Sequence, residues 1–256
     1  AYLFERMDDG TWLKVNKFNL PVAESRNNVE FANAVSFDGN QVLIGCARCF
    51  DANVLTTGAG FVFDFDGTQW HLTQKLTASD GTFGDNFGSS VKLQGNQALV
   101  GAEGADRFNS PNTYTGAAYV FDQSNGHWYE TQKLTATSPS YFDRFGYAIG
   151  MDRNTLVVSG TQDFTSGYVN VYQFEGGNWI KKTQQKNPSA DQYGVFGSAI
   201  DLADGRLLVG AKLEHNQGTY AGAAYVFQMS TDSIFCQDFD NHLVCGDRIF
   251  HNGFGD

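Results

Sequence analysis

The side chains that most often carry out catalysis are few in this chain and do not form recognisable motifs. The five histidines are His71, His127, His215, His242 and His251. His71 and His127 flank two tryptophans on opposite sides and do not recur in the other repeats, which is typical of solvated edge residues. The sequence contains no nucleophile elbow, zinc-protease helix motif, phosphate-binding loop or dinucleotide fingerprint. It therefore predicts a protein that is not an enzyme, with no catalytic residue, no metal ligand and no cofactor. An active site assembled from several separate loops is the alternative left open.

The four cysteines fall into two close pairs, Cys46 with Cys49 and Cys236 with Cys245. Close pairs suggest two local disulfides, which form in oxidising compartments. A four-thiolate zinc site is an alternative, but such sites usually combine two short Cys-x-x-Cys knuckles, and the second pair here is widely spaced. Free thiols are a further alternative. The first pair also has redox spacing, although no strand-to-helix context supports thioredoxin-like activity.

The overall charge and composition narrow the range of partners. The chain has 17 Lys and Arg against 28 Asp and Glu, and its net charge is −11. This acidic balance argues against nucleic acid as a partner, because phosphate binding requires clustered basic residues. No run of 18 apolar residues is present, so no membrane-spanning helix is predicted. The aromatic content of 14% argues against disorder.

The tryptophans mark an internal repeat. All four occupy the same phase of it, at spacings of 58, 58 and 51 residues: Trp12, Trp70, Trp128 and Trp179. A Phe, followed by Gly in the last three units, comes 17 to 19 residues after each Trp: Phe31, Phe87-Gly88, Phe145-Gly146 and Phe196-Gly197. An aliphatic run that ends in Gly and then an aromatic strand complete each unit. This periodicity predicts repeated copies of one supersecondary unit.

Each unit is predicted to contain four short strands, A to D. In the unit that begins at Phe87, they cover 87–94, 97–101, 117–122 and 128–134. Gly-Asn and Asn-Gly dipeptides between them are typical of tight hairpin turns. Four-stranded antiparallel units repeated every 50 to 58 residues predict an all-β fold, namely a β-propeller.

The repeated landmark residues are predicted to pack between blades. Trp70 and Trp128 are expected to be largely buried at these interfaces, and Trp179 to pack less regularly. Gly101 and Gly116 are expected where neighbouring blades approach too closely for a side chain.

Together these motifs resemble the FG-GAP repeat in its calcium-free bacterial form, with integrin-alpha-like blades. The resemblance rests on Trp70, Lys75-Leu76, Phe87-Gly88, Val100-Gly101-Ala102 and residues 116–121, and it extends over residues 1–228. Two departures are Ala32 after Phe31, and Gln184-Gln185 where Lys-Leu is expected.

Integrin-type repeats carry a calcium loop with three aspartates in the A–B turn, and the corresponding turns here have too few carboxylates for such a site. Asp64-Phe65-Asp66-Gly67 resembles half of a calcium loop, but it falls in a C–D turn, where a simple hairpin is expected. The resemblance therefore implies a propeller that does not depend on calcium.

The phase of the repeat sets the expected domain boundaries. The propeller is expected over 1–228, as a partial N-terminal blade over 1–20 and four units over 31–78, 87–136, 145–185 and 196–228. Propellers of the family usually have seven blades. The chain could therefore form part of a seven-bladed ring with upstream blades absent, or a five-bladed ring closed by its C-terminal segment.

Residues 229–256 are expected to form a C-terminal tail or hairpin that covers a sheet edge. Its Asp-x-Ile-Phe-x-x-Gly-Phe ending, at 247–254, is similar to the tails of some secreted bacterial proteins.

The B–C loops differ from one unit to the next and share one face of a propeller. Their residues best suited to contact a ligand are Phe50, Arg107, Phe108, Tyr114, Phe164, His215 and Tyr220. Aromatic rings beside polar groups suit sugar rings or a protein surface; the alternative is that they only cap the blade edges. We expect a secreted or cell-surface bacterial binding or adhesion module for a protein or a glycan, with the periplasm as a second location. The alternative is a structural subunit of an extracellular assembly, joined to other copies or to a partner chain through exposed blade edges.

Overall fold

The chain folds into a series of small antiparallel sheets in a computed structural model. The structure describes residues 1–24, 29–50, 56–106, 114–161, 166–189, 191, 193–215 and 219–229, and the backbone of strands 235–239, 242–245 and 248–251. Within these ranges the only helical element is one 3₁₀ turn, Val22–Glu24. The prediction of an all-β fold is confirmed.

The described residues form twenty strands, numbered β1 to β20 in chain order. Their bounds are β1 Tyr2–Arg6, β2 Trp12–Lys17, β3 Phe31–Asp38, β4 Gln41–Cys46, β5 Ala59–Phe65, β6 Trp70–Leu76, β7 Phe87–Gln94, β8 Gln97–Ala102, β9 Ala117–Ser124, β10 His127–Leu134, β11 Ile149–Asp152, β12 Thr155–Gly160, β13 Tyr168–Glu175, β14 Asn178–Lys186, β15 Phe196–Ala203, β16 Arg206–Ala211, β17 Ala223–Met229, β18 Phe235–Phe239, β19 His242–Cys245 and β20 Arg248–His251.

Each sheet is a meander in which neighbouring strands follow one another in the chain. An N-terminal hairpin contains β1 and β2; blade 1 contains β3 to β6, blade 2 contains β7 to β10, and blade 3 contains β11 to β14. Blade 4 contains β15 to β18, and β19 and β20 extend its sheet. The predicted propeller of four-stranded antiparallel blades is confirmed.

The core consists of apolar layers between blades. The middle strands β8 and β9 are buried along nearly their whole length, because other blades cover both of their faces. One layer packs Leu43 and Val62 of blade 1 against Leu93 of blade 2. The next packs Leu99 and Val120 of blade 2 against blade 3. Full burial of one such side chain contributes about 1.5–3 kcal/mol, so the layers between blades stabilise each blade through its neighbours.

The backbone also crosses from blade to blade. A glycine at the end of each B–C loop forms an isolated parallel bridge with the first Phe of the next blade: Gly58 with Phe87, Gly116 with Phe145, and Gly167 with Phe196. These three Phe side chains are fully buried. The three junctions between the four blades are therefore built in the same way.

Glycine is required at these junctions for steric reasons. A Cβ at Gly101 would overlap the carbonyl oxygen of Gly146 in the next blade, and a Cβ at Gly116 would overlap that of Phe145. Gly146 itself has a φ of 91°, which L residues rarely adopt. The prediction that Gly101 and Gly116 lie where blades approach closely is confirmed.

The four tryptophans differ in burial according to what precedes their strand. Trp128 and Trp179 pack against a complete preceding blade and are each 3% exposed. Trp70 faces only the two-stranded N-terminal hairpin, where its ring lies 5.4 Å from that of Phe18, and it is half-buried. Trp12 is 66% exposed. Trp179 is as buried as Trp128, so the prediction that Trp179 packs less regularly is wrong, whereas Trp70 is less buried than Trp128, with which the prediction paired it.

Each buried tryptophan is held by a glutamine of the preceding blade. The Gln74 amide donates to the Trp128 carbonyl and accepts from the Trp128 N–H, both at 2.8 Å. Gln132 binds the backbone of Trp179 in the same way, at 2.9 and 2.8 Å. We call this pair of bonds the amide clamp. The clamp provides hydrogen-bond partners for the backbone N–H and carbonyl of a tryptophan on the outer strand of its sheet. The outer edge of that strand has no neighbouring strand to bond these groups.

Apolar side chains are exposed on the outer face of blade 4. Leu208 and Val226 are 45% and 42% exposed, whereas Leu99 and Val120, at the equivalent positions of blade 2, are fully buried. Blade 4 therefore carries apolar side chains of the kind that form the buried layers between blades, on a face that the other described residues leave exposed.

A second open face lies on blade 1. Val35 and Phe37 of β3 are exposed, whereas the equivalent Val91 and Leu93 of β7 are buried. The N-terminal hairpin covers other parts of this face, where Phe18 packs into the blade 1 cluster.

The two predicted disulfides have different outcomes. Cys46 and Cys49 are bonded and fully buried at the end of β4, with a Cα–Cα distance of 5.4 Å, so this pair is confirmed. Cys236 and Cys245 are directly opposed in the register of β18 and β19. Because their side chains lie outside the described residues, the second disulfide stays a prediction.

Candidate functional site

One face of the propeller carries the long connections. The B–C loops and the D–A connections emerge there and are bonded to each other through the backbone. The N–H of Gly84 donates to the Thr56 carbonyl at 2.9 Å, and that of Arg144 donates to the Tyr114 carbonyl at 3.0 Å. Each D–A connection is therefore held against the B–C loop of the preceding blade. We call the surface that these loops form the loop face.

The structure describes four of the seven predicted ligand-binding residues. Three of them lie outside the described residues: Arg107, Phe108 and Phe164. Phe50 is half-buried against the blade 1 cluster, and its carbonyl accepts a hydrogen bond from the Lys75 ammonium at 2.7 Å.

The other three predicted residues make aromatic contacts on the loop face. Tyr114 stacks on Phe142 of the following D–A connection, with ring centroids 4.7 Å apart. His215 and Tyr220 lie together, with their rings 4.9 Å apart. The structure therefore brings together two of the predicted residues on blade 4 and places Tyr114 at the junction of blades 2 and 3.

Blade 4 adds Asp191 and Tyr193 to His215 and Tyr220. One carboxylate oxygen of Asp191 is 2.7 Å from the backbone N of His215 and 2.8 Å from its Nδ1. The other accepts the Tyr193 N–H at 2.9 Å. The backbone bond from Tyr193, followed by the side-chain bond from His215, holds the pKa of Asp191 below its usual range. Since Nδ1 faces Asp191, Nε2 is the ring nitrogen that a ligand could reach.

Tyr193 belongs to a set that recurs along the chain. A half-exposed aromatic residue lies three or four positions before the buried Phe of blades 2, 3 and 4: Phe83, Tyr141 and Tyr193, at 49%, 58% and 54% exposure. We call these three residues the junction aromatics. They are absent from the predicted set because that set draws only on B–C loops. Their position shortly before Phe87, Phe145 and Phe196 is the sequence signal that would find them.

A buried carboxylate lies close to the junction aromatic in blades 2 and 3, at Asp85 and Asp143. Thr82 donates to Asp85 through its N–H and its hydroxyl, both at 2.8 Å, yet burial raises the pKa of Asp85 above its usual value. The Tyr168 hydroxyl donates to Asp143 at 2.8 Å.

Blade 4 obtains its carboxylate from another loop. Gly194 takes the position of Asp85 and Asp143, and a Cβ at Gly194 would lie 3.5 Å from an oxygen of Glu214. Glu214 is fully buried and accepts a hydrogen bond from the Tyr225 hydroxyl. The B–C loop thus supplies the buried carboxyl group that the D–A connection supplies in blades 2 and 3.

A polar cavity of about 330 Å³ opens on the loop face where blades 1, 2 and 3 meet. Its lining includes Arg48, Asn86 and Glu103, and Arg48 pairs with Glu30 at 3.2 Å. These amide, carboxylate and guanidinium groups can form hydrogen bonds with hydroxyl or amide groups of a ligand.

The described residues contain no cluster of three His, Cys, Asp or Glu side chains placed to hold a metal ion. Asp66 in the C–D turn of blade 1 instead bonds the side chain and N–H of Thr68 and the N–H of Gln69. Those bonds hold the pKa of Asp66 far below its usual range. This segment is therefore a capped hairpin turn. The same described part of the chain has no helix long and apolar enough to cross a membrane.

The meander blades, the equivalent junctions and the shared loop face define the chain as a β-propeller of four-stranded blades. Its repeats match the FG-GAP repeat over residues 70–121, 128–172 and 189–227, which is more than half of the chain. The chain therefore belongs to the FG-GAP repeat family, and the resemblance found in the sequence is confirmed. The first two matches run from the last strand of one blade into the third strand of the next, and the last begins at Ser189, after β14, and ends in β17; each match therefore contains one junction.

Two solved structures are distantly similar to the chain. A chain from the structure of Saccharomyces cerevisiae Dbp5 bound to Nup159, Gle1, IP6 and ADP is 12% identical, with a TM-score of 0.41 over 81% of this chain and 47% of that one. The structure of YjhT is 13% identical, with a TM-score of 0.48 over 97% of this chain and 85% of that one. No curated protein matches the sequence. The family assignment therefore rests on the repeats alone.

Proposed function

We propose that this protein is a non-enzymatic binding or adhesion module that takes a protein or a glycan on its loop face. The observation that carries the proposal is the group of exposed aromatic rings beside polar side chains, clearest in blade 4. There Tyr193 and Tyr220 flank an imidazole that Asp191 orients through Nδ1. Flat apolar rings next to a fixed hydrogen-bonding group are typical of recognition sites.

The hydrogen bonds around His215 favour binding over catalysis. The Asp191–His215 pair resembles two members of a hydrolase triad. However, Ser189, a nearby hydroxyl, donates its hydrogen bond to Asn187 at 2.9 Å. A nucleophile activated by His215 would need to lie within hydrogen-bond reach of its Nε2.

An extracellular or cell-surface location in a bacterium is part of the same proposal. The buried Cys46–Cys49 disulfide supports an oxidising compartment. The net charge of −11 keeps such a protein soluble and disfavours nucleic acid as the partner.

Binding to a glycan array and to extracellular proteins, with loop-face variants, tests the proposal. Tyr220→Ala should reduce the signal, because this exposed ring is 4.9 Å from His215. Tyr129→Ala is the matched control, since Tyr129 is equally exposed but lies on the outer strand β10. Equal binding by the two variants, or hydrolysis of a bound ligand, would contradict the proposal.

A second candidate function is assembly through the open blade faces. It is favoured by Leu208 and Val226 on blade 4 and by Val35 and Phe37 on blade 1, which have the residue types of buried layers elsewhere. Leu208→Lys should lower the mass measured by light scattering if this face joins other copies. A monomer at high concentration for the unmodified chain would exclude self-assembly.

A further inference from the structure

We propose that a cavity at the junction of blades 2 and 3 binds an anionic sugar residue, carboxylated or sulfated, through Lys181 and Lys186. The inference rests on the proposed function, because it names a ligand class and its contact residues for one part of the loop face. The cavity has a volume of about 290 Å³. It is lined by the D–A connection at 136–138, by residues 166–168 where the blade 3 B–C loop enters β13, and by three side chains of β14, Lys181, Gln184 and Lys186.

A β-bulge brings these three side chains of β14 to the same cavity. In the pairing with β13, Lys181 and Thr183 oppose successive residues, so Lys182 is an extra residue. Such a bulge shifts the alternation of side chains along the strand by one position. Lys181, Gln184 and Lys186 therefore line one cavity, although their spacing is not that of a regular strand.

The equivalent place at the junction of blades 1 and 2 is occupied by carboxylates of the chain itself. Glu130 of β10 accepts hydrogen bonds from the N–H and the hydroxyl of Ser79, both at 2.8 Å. Asp80 accepts one from the Tyr119 hydroxyl at 2.8 Å and one from the Lys133 ammonium at 2.6 Å. The donors at this junction therefore have anionic partners within the protein.

Both carboxylates are replaced at the junction of blades 2 and 3. Lys181 takes the position of Glu130, two residues after the tryptophan of its strand. Ser138 takes the position of Asp80, four residues after the end of the preceding strand. The Lys181 ammonium donates to the Thr137 hydroxyl at 3.0 Å. The same place in the fold thus changes from two anionic side chains to one cationic and one neutral side chain.

The two cavity lysines form no ion pair with the described residues. Their neighbour Lys182, in contrast, pairs with Glu175 at 2.6 Å. Burial lowers the pKa of Lys181, because its ammonium is partly removed from water. Gln184, which takes the position of Lys133, donates to the Asn170 amide oxygen at 2.9 Å and supplies no negative charge either. An anion in the cavity would compensate the lost hydration and pair both ammonium groups.

The rest of the cavity suits a sugar better than a lone anion. Hydroxyl and amide groups line it, from Thr137, Ser138, Ser166 and Gln184. These groups can donate to or accept from sugar hydroxyls, which a free sulfate or an acidic side chain does not offer. The ring of Tyr168, whose hydroxyl donates to Asp143 at 2.8 Å, adds an apolar wall. The volume is close to the lower limit of about 300 Å³ for small-molecule sites, which suits one sugar ring.

The net charge of −11 does not prevent an anion from binding here. At physiological ionic strength the Debye length is about 8 Å, so carboxylates farther away than this are largely screened. The contacts with the two lysines are direct and are screened much less. The local pair of ammonium groups therefore decides the sign of the ligand.

The test is calorimetric titration with probes that differ in charge and in size. The acidic sugars are galacturonate, N-acetylneuraminate and galactose 6-sulfate, and galactose is the neutral sugar. Inorganic sulfate is the anion without a sugar, and pentaglutamate is the acidic peptide. The proteins are the unmodified chain, Lys181→Gln, Lys186→Gln, Ser138→Asp and the control Lys182→Gln, and all of them are also melted.

At least one acidic sugar should bind the unmodified chain and the Lys182→Gln control, with galactose at least tenfold weaker. Lys181→Gln and Lys186→Gln should each weaken this binding about ten- to hundredfold, because each removes a charge-assisted hydrogen bond. Ser138→Asp should abolish measurable binding, because it restores the carboxylate that Asp80 provides at the other junction. Melting temperatures of the two cavity lysine variants should stay close to that of the unmodified chain, since neither lysine forms an ion pair within the described residues.

The inference is overturned if no acidic sugar binds, or if galactose or inorganic sulfate binds as tightly as the acidic sugars. It is also overturned if Lys182→Gln weakens binding as much as the cavity variants do. Pentaglutamate that binds through the cavity lysines while no sugar does overturns it and leaves the proposed function standing. So does a neutral glycan whose binding depends on Tyr220 and not on Lys181. The absence of any ligand for the loop face, glycan or protein, defeats both proposals.

Discussion

The amide clamp provides a direct measure of how strongly the blades hold each other. Replacing Gln74 with Ala removes two hydrogen bonds to the backbone of Trp128, each 2.8 Å long. A neutral hydrogen bond contributes a net 0.5–1.5 kcal/mol or so, which gives about 1–3 kcal/mol for the clamp. Gln74 is only half-buried, so water replaces part of the loss and we expect about 1–2 kcal/mol.

A chain of this size melts about 2–4 °C lower for each 1 kcal/mol of lost stability. Gln74→Ala should therefore lower the melting temperature by roughly 2–8 °C in a calorimetric scan. Gln132→Ala should have a similar effect at the next junction, and the double variant should show the sum, since the two clamps share no partner. Trp128→Phe should not remove the effect of Gln74→Ala, because the clamp holds backbone atoms and not the indole ring.

The matched control is Gln185→Ala. Gln185 is also a half-buried glutamine on a fourth strand, β14, but within the described residues it has no clamp to a following blade. If Gln74→Ala and Gln185→Ala melted at the same temperature, the clamp would contribute nothing to stability. The argument that hydrogen bonds to the backbone of an outer strand stabilise the protein would then be refuted.

Three further outcomes are expected. Asp85→Asn should raise stability at pH 7, since burial raises the folded pKa of Asp85 above its unfolded value; the gain should shrink as the pH falls through the folded pKa, and melts from pH 4 to 8 that run parallel would contradict this. Removing the Cys46–Cys49 bond with serine substitutions should cost about 2 kcal/mol for so short a loop, while peptide mapping without reduction should also recover Cys236 bonded to Cys245. A chelator should leave the melting temperature unchanged, and a marked decrease would reveal a metal site.

The fold was predictable because each repeat contains the residue pattern that specifies its own four-stranded unit. The spacing of Trp, Phe-Gly and the aliphatic run identifies one unit, and four copies of it specify a propeller. The need for Gly101 was also visible, because a small residue at the end of an apolar strand indicates close approach. The local pair Cys46–Cys49 required no knowledge of the wider structure.

The features that escaped prediction depend on contacts between units. Trp70 and Trp179 have the same phase in the repeat, yet only Trp179 is buried, because its burial is decided by the preceding blade. Gln74 reaches a residue 54 positions away, which no local pattern reveals. The polar cavity likewise combines side chains from three blades, among them Glu30, Asn86 and Tyr147.

The backbone bridges between blades have a consequence for motion. Phe87, Phe145 and Phe196 each donate their N–H to a carbonyl in the loop of the preceding blade, at 2.9 to 3.0 Å. Opening one blade therefore breaks bonds in its neighbour, and the free energy of opening depends on how many neighbours a blade has. Amide protons of blades 2 and 3 should exchange with deuterium most slowly, and those of the N-terminal hairpin fastest. Blades 2 and 3, which each have a blade on both sides, should therefore be the last to open.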